Sequence, residues 1–183
     1  MRNSDLTIAE QLKQITLSAL FAALTAVGGY LAFPLPFSPV PVTAQSLSVM
    51  LAGCLLRPVT AFWSMVVFIL IGAIGLPVFF GGSSGIGILV GPTGGYIISW
   101  PIAAYLISRL QSANKKLSFP YVLTMNILGG IIVVYLIGVF QLSFVTGIGY
   151  KKAILVGALP YLPGDILKAF GVSVLTIRLK RII

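Results

Sequence analysis

Asp165 is the only acidic side chain beyond Glu10, and Lys168 follows it inside an otherwise apolar stretch. The local sequence reads Leu159-Pro160-Tyr161-Leu162-Pro163-Gly164-Asp165-Ile166-Leu167-Lys168. A carboxylate at membrane depth costs roughly 2.5–3.5 kcal/mol on insertion scales, so it is retained where it has a partner or a task. Spacing i, i+3 places both charges on one helix face. Two readings follow: an internal ion pair that lets both charges survive insertion, or a polar substrate site that uses one or both. Pro163 suits the first position of a helix, which sets Asp165 in the first turn, where the positive helix terminus favours its charge.

Other polar groups gather at the edges of apolar runs. The segment Phe33-Pro34-Leu35-Pro36-Phe37-Ser38-Pro39-Val40-Pro41 has a proline at nearly every second position. Proline fixes φ and removes a donor, so this segment is stiff, extended and non-helical. It leads into Val42-Thr43-Ala44-Gln45, read either as a turn with a helix cap or as a rigid rim that presents Thr43 and Gln45 to a ligand. A second segment, Gly75 to Tyr96, is dense in glycine and apolar apart from Ser83, Ser84 and Thr93. Its composition suits a cover over a pocket that opens to admit substrate.

Much familiar chemistry is absent. There is no histidine and one cysteine, Cys54, which reads as a small buried hydrophobe. Zinc sites built on His or several Cys, Ser-His-Asp or Cys-His catalysis and an internal disulfide are excluded. No Walker A sequence occurs, and Gly85-x-Gly87 is followed by Gly91, which breaks the dinucleotide fingerprint. The chain therefore does not hydrolyse ATP by the P-loop route. A metal site is not expected.

The elements that must position these groups are set by composition. The 183 residues are 58% hydrophobic and 8% charged; soluble domains average about 25% charged residues. The chain reads as an all-α integral membrane protein forming a single domain over 1–183. Six apolar segments can be counted, at about 15–33, 42–56, 59–78, 93–108, 121–140 and 153–177. A helix needs about 20 residues to cross the hydrocarbon core. The second and fourth are short, so they extend into neighbouring loops or line a cavity. The polar start, Met1 to Gln14, lacks the apolar run and cleavage site of a removable signal peptide.

The formal charge of +9 would point to nucleic acid in a soluble chain. Here the basic residues flank apolar runs, and no nucleic-acid motif accompanies them. With six spans, Arg2, Lys13, Arg57, Arg109, Lys115, Lys116, Arg178, Lys180 and Arg181 share the side of the termini, against Lys151 and Lys152 opposite. The excess assigns both termini to the cytoplasm. On the first span, the Ala19/Ala23 and Ala22/Ala26 pairs overlap into a smooth face suited to a subunit contact, and Gly87/Gly91 is a weaker small-residue pair. No internal repeat stands out, so a chain this small suggests an oligomer or one subunit of a larger complex.

Three motifs in this order carry a resemblance that covers nearly the whole chain: Phe37-Ser38-Pro39-Val40-Pro41-Val42-Thr43-Ala44-Gln45, Gly91-Pro92-Thr93-Gly94-Gly95-Tyr96, and Pro160 with Pro163-Gly164-Asp165 and Lys168. The chain resembles the biotin-specific substrate-binding S component (BioY type) of energy-coupling factor transporters. The resemblance implies a compact bundle of six helices with a glycine-rich outer loop between helices 3 and 4. It also implies biotin held near the outer surface, and energy from two cytoplasmic ATPases through a membrane coupling subunit. Ala19-x-x-x-Ala23 looks like the family's docking motif. The register of the 79–91 loop is not fixed by the resemblance.

Biotin as ligand gives the candidate residues their roles. Its ureido ring offers two N–H donors and a carbonyl. An ionised Asp165 accepts only, with room for both ureido donors or for Lys168. Lys168 neutralises Asp165 or meets the ligand's carbonyl or carboxylate. Thr43, Gln45 and Thr93 satisfy remaining polar atoms, and Phe79, Tyr96 and Tyr135 wall the thioether ring and tail. Biotin is the transported ligand and no cofactor is expected. Against this stand a membrane enzyme, disfavoured by the missing His and second acid, a channel, disfavoured by polar groups confined to the outer ends, and a stand-alone or proton-coupled carrier using Asp165.

Overall fold

The structure is a computed structural model that describes residues 7–114 and 118–180. Arg2, Lys115, Lys116 and Arg181 of the charge count lie outside the described residues. The first apolar segment forms α1 (Ile8–Tyr30), opened by a capping box in which Thr7 and Glu10 exchange hydrogen bonds. The proline-rich segment then turns back on itself. Ala32–Phe33 (β1) pairs antiparallel with Val42–Thr43 (β2), two residues on each side of a connection over 34–41. Helices α2 (Gln45–Leu55) and α3 (Pro58–Ala73) follow, the latter with proline in its first turn.

The glycine-rich segment carries a short 3-10 turn at Phe80–Gly82 and a single α-helical turn, α4 (Ile86–Val90), before α5 (Gly94–Ala113). The fifth apolar segment is one continuous helix over Phe119–Thr146. It comprises α6 (Phe119–Ile127), a π-helical stretch Leu128–Val133, and α7 (Val134–Thr146). The last segment is divided, unlike the continuous 153–177 run read from the sequence. Helix α8 (Tyr150–Gly157) and α9 (Leu162–Leu179) meet at an angle of 54°. Pro160 and Pro163 explain the break, since neither supplies an amide to continue the ladder.

By length and composition α1 and Phe119–Thr146 are each able to cross a membrane, and α8 with α9 meet the same measure only when the two are taken together across their bend. Helices α2 and α3 are apolar but shorter. Helix α2 is central, with Val49, Met50, Ala52 and Cys54 all at 2% exposure or less. It borders α1, α5 and α9, so its brevity is compatible with protein rather than lipid on most sides.

Hydrogen bonds define two ends of the bundle. At the end bearing the termini, Thr60 donates to Gln14 (2.8 Å), Ser108 to the Leu56 carbonyl (2.6 Å), and Tyr121 to the Leu110 carbonyl (2.6 Å). At the other, Tyr30 donates to the Pro77 carbonyl (2.7 Å), and the Gln141 amide holds the Leu89 and Gly91 carbonyls (2.7 and 2.9 Å). The glycine-rich segment is thus tied down at both of its shoulders. Phe79 anchors its middle: it is fully buried, its ring meets Phe68 edge-on at 5.6 Å, and it occupies the space that a side chain at Gly72 would need.

Cys54 is buried but not merely apolar. Its thiol donates to Asn126 Oδ1 (3.3 Å) and its sulfur accepts from Gln111 Nε2 (2.8 Å), while Asn126 Nδ2 donates to Ser173 (3.1 Å). This polar cluster joins α2, α5, α6 and α9. Its members are spread over the sequence, so only the fold reveals it.

The Phe79 peg gives a direct test. Gly72→Ala should destabilise the purified protein by roughly 1–3 kcal/mol, since a methyl group there collides with the ring. In Gly72→Ala/Phe79→Leu the penalty should be less than the sum of the two single changes in a reversible SDS-unfolding titration. Additive penalties would mean the two sites do not share the space.

A cavity built around Asp165 and Lys168

The broken last segment delivers the charged pair. Pro163 lies in the first turn of α9, and Asp165 follows with its amide bonded to the Tyr161 carbonyl (2.9 Å). Asp165 is buried, and Lys168 reaches its Oδ1 at 2.9 Å. The ammonium does not stop there. It also donates to the Thr43 carbonyl (2.8 Å) and to Ser46 Oγ (2.9 Å). An ammonium has three donors, so all three are committed.

The carboxylate is engaged almost as fully. Tyr135 donates to Oδ2 at 2.6 Å, and Ser46 donates to Oδ1 at 3.4 Å alongside Lys168. A carboxylate has about four lone-pair sites, which leaves room for one further donor. The sequence reading allowed Asp165 both donors of a ureido group; the occupied Oδ1 and Oδ2 positions reduce that to one.

Each partner is supplied by a distinct local structure. Thr43 presents its carbonyl because β2 is extended, and its hydroxyl accepts from the Gln45 amide (3.3 Å) to turn the chain into α2. The cap and rim readings of this segment are therefore compatible: Thr43, Gln45 and Ser46 all line the cavity. Tyr135 follows the π-helical stretch, whose Gly130 packs closely against the Met50 side chain, which would have to shift to admit a Cβ there. A π-helical turn holds more residues than an α-helical one and re-aims the side chains beyond it. Tyr161 donates to the Val40 carbonyl, fastening the proline-rich hairpin to the start of α9.

The empty space at the site, counted together with its open mouth, is about 600 Å³. Apolar walls come from Val40, Val42, Ile97 and Val134, and aromatic ones from Phe80, Tyr96, Trp100 and Tyr135. Of the residues singled out in the sequence, Asp165, Lys168, Thr43, Gln45, Thr93, Tyr96 and Tyr135 all border it. Phe79 does not. It points into the core and supports the wall indirectly, through Phe68 to Trp100 (ring centroids 5.6 Å); the adjacent Phe80 faces the cavity instead.

Three polar groups there are unspent. The Gln45 amide nitrogen donates to the Val78 carbonyl (3.3 Å), whereas its oxygen receives no hydrogen bond among the described residues. The Thr93 hydroxyl and the Trp100 indole N–H likewise have no protein partner among them. Among the described residues every side-chain N or O sealed from solvent is satisfied, so these groups, which line the cavity, open onto it. Sequence reasoning missed Ser46, Phe80 and Trp100. Trp100 was findable, since Thr93, Tyr96 and Trp100 repeat at helical spacing. The selection of Ser46 and of Phe80 over Phe79 depends on side-chain direction.

A family model described as the BioY family matches residues 1–183. The chain belongs to the BioY family. A probable biotin transporter BioY of Bacillus subtilis (strain 168) is 40% identical over 88% of this chain and 87% of its own length. The corresponding protein of Pyrococcus horikoshii is 39% identical over 92% of this chain and 96% of its own. Among solved structures, the S component for biotin from an ECF-type ABC transporter superposes with a TM-score of 0.90 at 32% identity, over 96% of this chain and 95% of that one. The BioY chain described here is thus an all-α membrane protein of the S-component fold.

The network predicts how the protein, purified without ligand, responds to losing one link. Ser46→Ala removes an acceptor from Lys168 and a donor from Asp165. Hydrogen bonds to charged groups contribute about 1.5–3 kcal/mol, so ligand-free protein should lose about that much stability in SDS unfolding. Tyr105→Phe, whose hydroxyl lies outside the cavity lining, is the control and should be silent. An unchanged Ser46→Ala protein would show that the network contributes nothing in the empty state.

Proposed function

We propose that this chain is the biotin-binding component of an ATP-driven energy-coupling factor transporter, and that Asp165 recognises the ligand directly. The observation that carries the reading is the single buried carboxylate at a cavity whose other groups pre-position it. The chain is a binding subunit of a transporter, not an enzyme, and biotin is its cargo. Its relatives and its structural neighbour bear names in biotin transport. A proton-coupled carrier is not favoured by any of them.

Asp165 has one acceptor site left, and it takes one ureido N–H. The Gln45 oxygen is the neighbouring acceptor suited to the second. Thr93 and Trp100 offer donors to the carbonyl or carboxylate, while Tyr96, Tyr135 and Phe80 wall the rings and tail. Lys168 holds the carboxylate oriented by keeping it paired.

In this reading the domain crosses the cytoplasmic membrane six times, with α2 as a short internal crossing and both termini cytoplasmic. The described basic residues Lys13, Arg57, Arg109, Arg178 and Lys180 fall at the end bearing the termini, and Lys151 and Lys152 start α8 at the other, which supports that orientation. Ala19 and Ala23 are exposed on α1, whereas Ala22 is buried at 4%, so the outward face is the Ala19/Ala23 pair alone. That face docks onto a membrane coupling subunit, energised by two cytoplasmic ATPase subunits.

Two experiments test these statements. Asp165→Asn leaves Lys168 uncompensated, so the informative variant is Asp165→Asn/Lys168→Met. With the charge imbalance removed, it should express normally and bind radiolabelled biotin at least tenfold more weakly, the cost of one unpaired buried group. Normal affinity in that double variant would take Asp165 out of the recognition site. Separately, Ala19→Trp or Ala23→Trp should abolish uptake in cells carrying the full transporter while purified protein still binds biotin. Loss of binding and uptake together would make that face internal packing.

A further inference from the structure

Outside the polar cavity, the described residues form a shallow apolar groove on the outer surface of the bundle. It runs between α3 and α5 and is lined by Val59, Phe62, Ile102 and Tyr105. Phe62 forms its floor, edge-on to Trp63 at 5.7 Å and to Tyr105 at 6.5 Å. Val59, Ile102 and Tyr105 are 39–48% exposed. In a membrane such a groove would ordinarily accept any hydrocarbon.

Its end is what makes it selective. Arg57 immediately precedes α3, and Arg109 lies in the stripe Ile102, Tyr105, Arg109 on α5, whose i, i+3, i+7 spacing shares one face. The hydrogen bond from Ser108 Oγ to the Leu56 carbonyl (2.6 Å) joins the residues immediately before the two arginines. The fold therefore sets the backbone positions of both arginines near one another, at the same end of the groove. Both arginines are exposed, and neither has a hydrogen-bond or acidic partner among the described residues. The Tyr105 hydroxyl is also without a protein partner among them.

No described acidic residue neutralises this pair. Of the chain's three acids, Asp5 lies outside the described residues, Glu10 is committed to the α1 capping box, and Asp165 is held by Lys168 at the opposite end of the bundle. An external anion beside this exposed hydrocarbon supplies the counter-charge that the described residues lack. Basic groups between helices at a membrane surface bind anionic lipid headgroups, at about 1 kcal/mol per Lys or Arg.

We propose that the α3–α5 groove binds one anionic phospholipid, with an acyl chain along Val59, Phe62 and Ile102 and the phosphate between Arg57 and Arg109. From Ile102 to Arg109 is seven residues, about 10 Å along the helix axis. That places the charges at the surface and the groove beneath them. Tyr105 lies between, where its hydroxyl reaches the ester region. Long Arg side chains extend their charge outward while their stems cover apolar surface.

The test uses the full-length protein purified in a mild detergent and titrated with palmitoyl-oleoyl phosphatidylglycerol or phosphatidylcholine, with native mass spectrometry as the readout. Phosphatidylglycerol should form a one-to-one adduct that survives collisional activation longer than the phosphatidylcholine adduct. Arg57→Gln and Arg109→Gln should each weaken it roughly fivefold, and the pair more than tenfold. Arg57→Lys/Arg109→Lys keeps the charges and should retain most of the adduct. Ile102→Trp fills the groove and should also abolish it, whereas equimolar inorganic phosphate should not compete.

An adduct unchanged in the double Gln variant, or equal retention of both lipids, overturns the proposal. Effective competition by inorganic phosphate reduces the site to a free-anion site and overturns the acyl-chain placement. Protection of Tyr105 from surface labelling only when the remaining transporter subunits are present would assign the groove to a protein partner and overturn it too. Biotin binding by these variants should stay normal, so failure here leaves the reading of the polar cavity untouched.

Discussion

One ammonium group organises the ligand end of the protein. Lys168 spends its three donors on three different parts of the chain: the Thr43 carbonyl, the Ser46 hydroxyl and the Asp165 carboxylate. Each acceptor exists because of a local backbone choice. An extended β2 frees the Thr43 carbonyl from any helical ladder, the start of α2 presents Ser46, and the first turn of α9 presents Asp165. A buried charge left short of partners costs several kcal/mol, so this convergence fixes how the proline-rich hairpin, α2 and α9 meet. The cavity is the space that remains beside the knot.

Around that knot, shape is set by aromatic side chains seated on small residues. Phe79 fills the space over Gly72 and reaches Trp100 through Phe68. Tyr96 packs on Gly138 while its hydroxyl donates to the Gly157 carbonyl (2.8 Å). In a membrane there is little hydrophobic gain from pressing helices together, so contact quality and hydrogen bonds decide the packing. The glycine-rich segment between α3 and α5 is consequently a folded cover with buried anchors rather than a loose connection. Any opening motion must pivot around Phe79 or extract it.

How much of this could be read from residues alone follows a physical divide. Scarcity made the charged pair legible: a lone acid in an apolar run needs an explanation, and Asp165 and Lys168 did prove to touch. Proline spacing announced a non-helical segment, though not that it turns back to pair Ala32–Phe33 with Val42–Thr43, and the position of Pro163 placed Asp165 in a first helical turn. What stayed hidden depends on direction in space. Neighbouring Phe79 and Phe80 are equivalent in composition, yet one faces the core and the other the cavity. Ser46 is an unremarkable helix residue until Lys168 arrives from 122 positions away. The division of the last apolar segment into α8 and α9 was marked by Pro160, but hydropathy averages across such a break. The Ala22/Ala26 pair looked like part of an outer face because small residues carry no sign of which side they occupy.

The π-helical stretch at Leu128–Val133 bears on how such a chain can change over evolutionary time. A π-helical turn holds more residues than an α-helical one for nearly the same total rotation, so one residue lost inside this stretch would restore ordinary winding and leave the later side chains close to their present directions. One residue lost elsewhere before Tyr135 would instead turn everything beyond it by about 100°. Tyr135 would then leave the carboxylate, and the seam between α5 and α7 would fall out of register. Tolerance of a change in length is therefore confined to the π-helical stretch, while the rest of the helix up to Tyr135 is fixed in length though free to exchange one apolar residue for another.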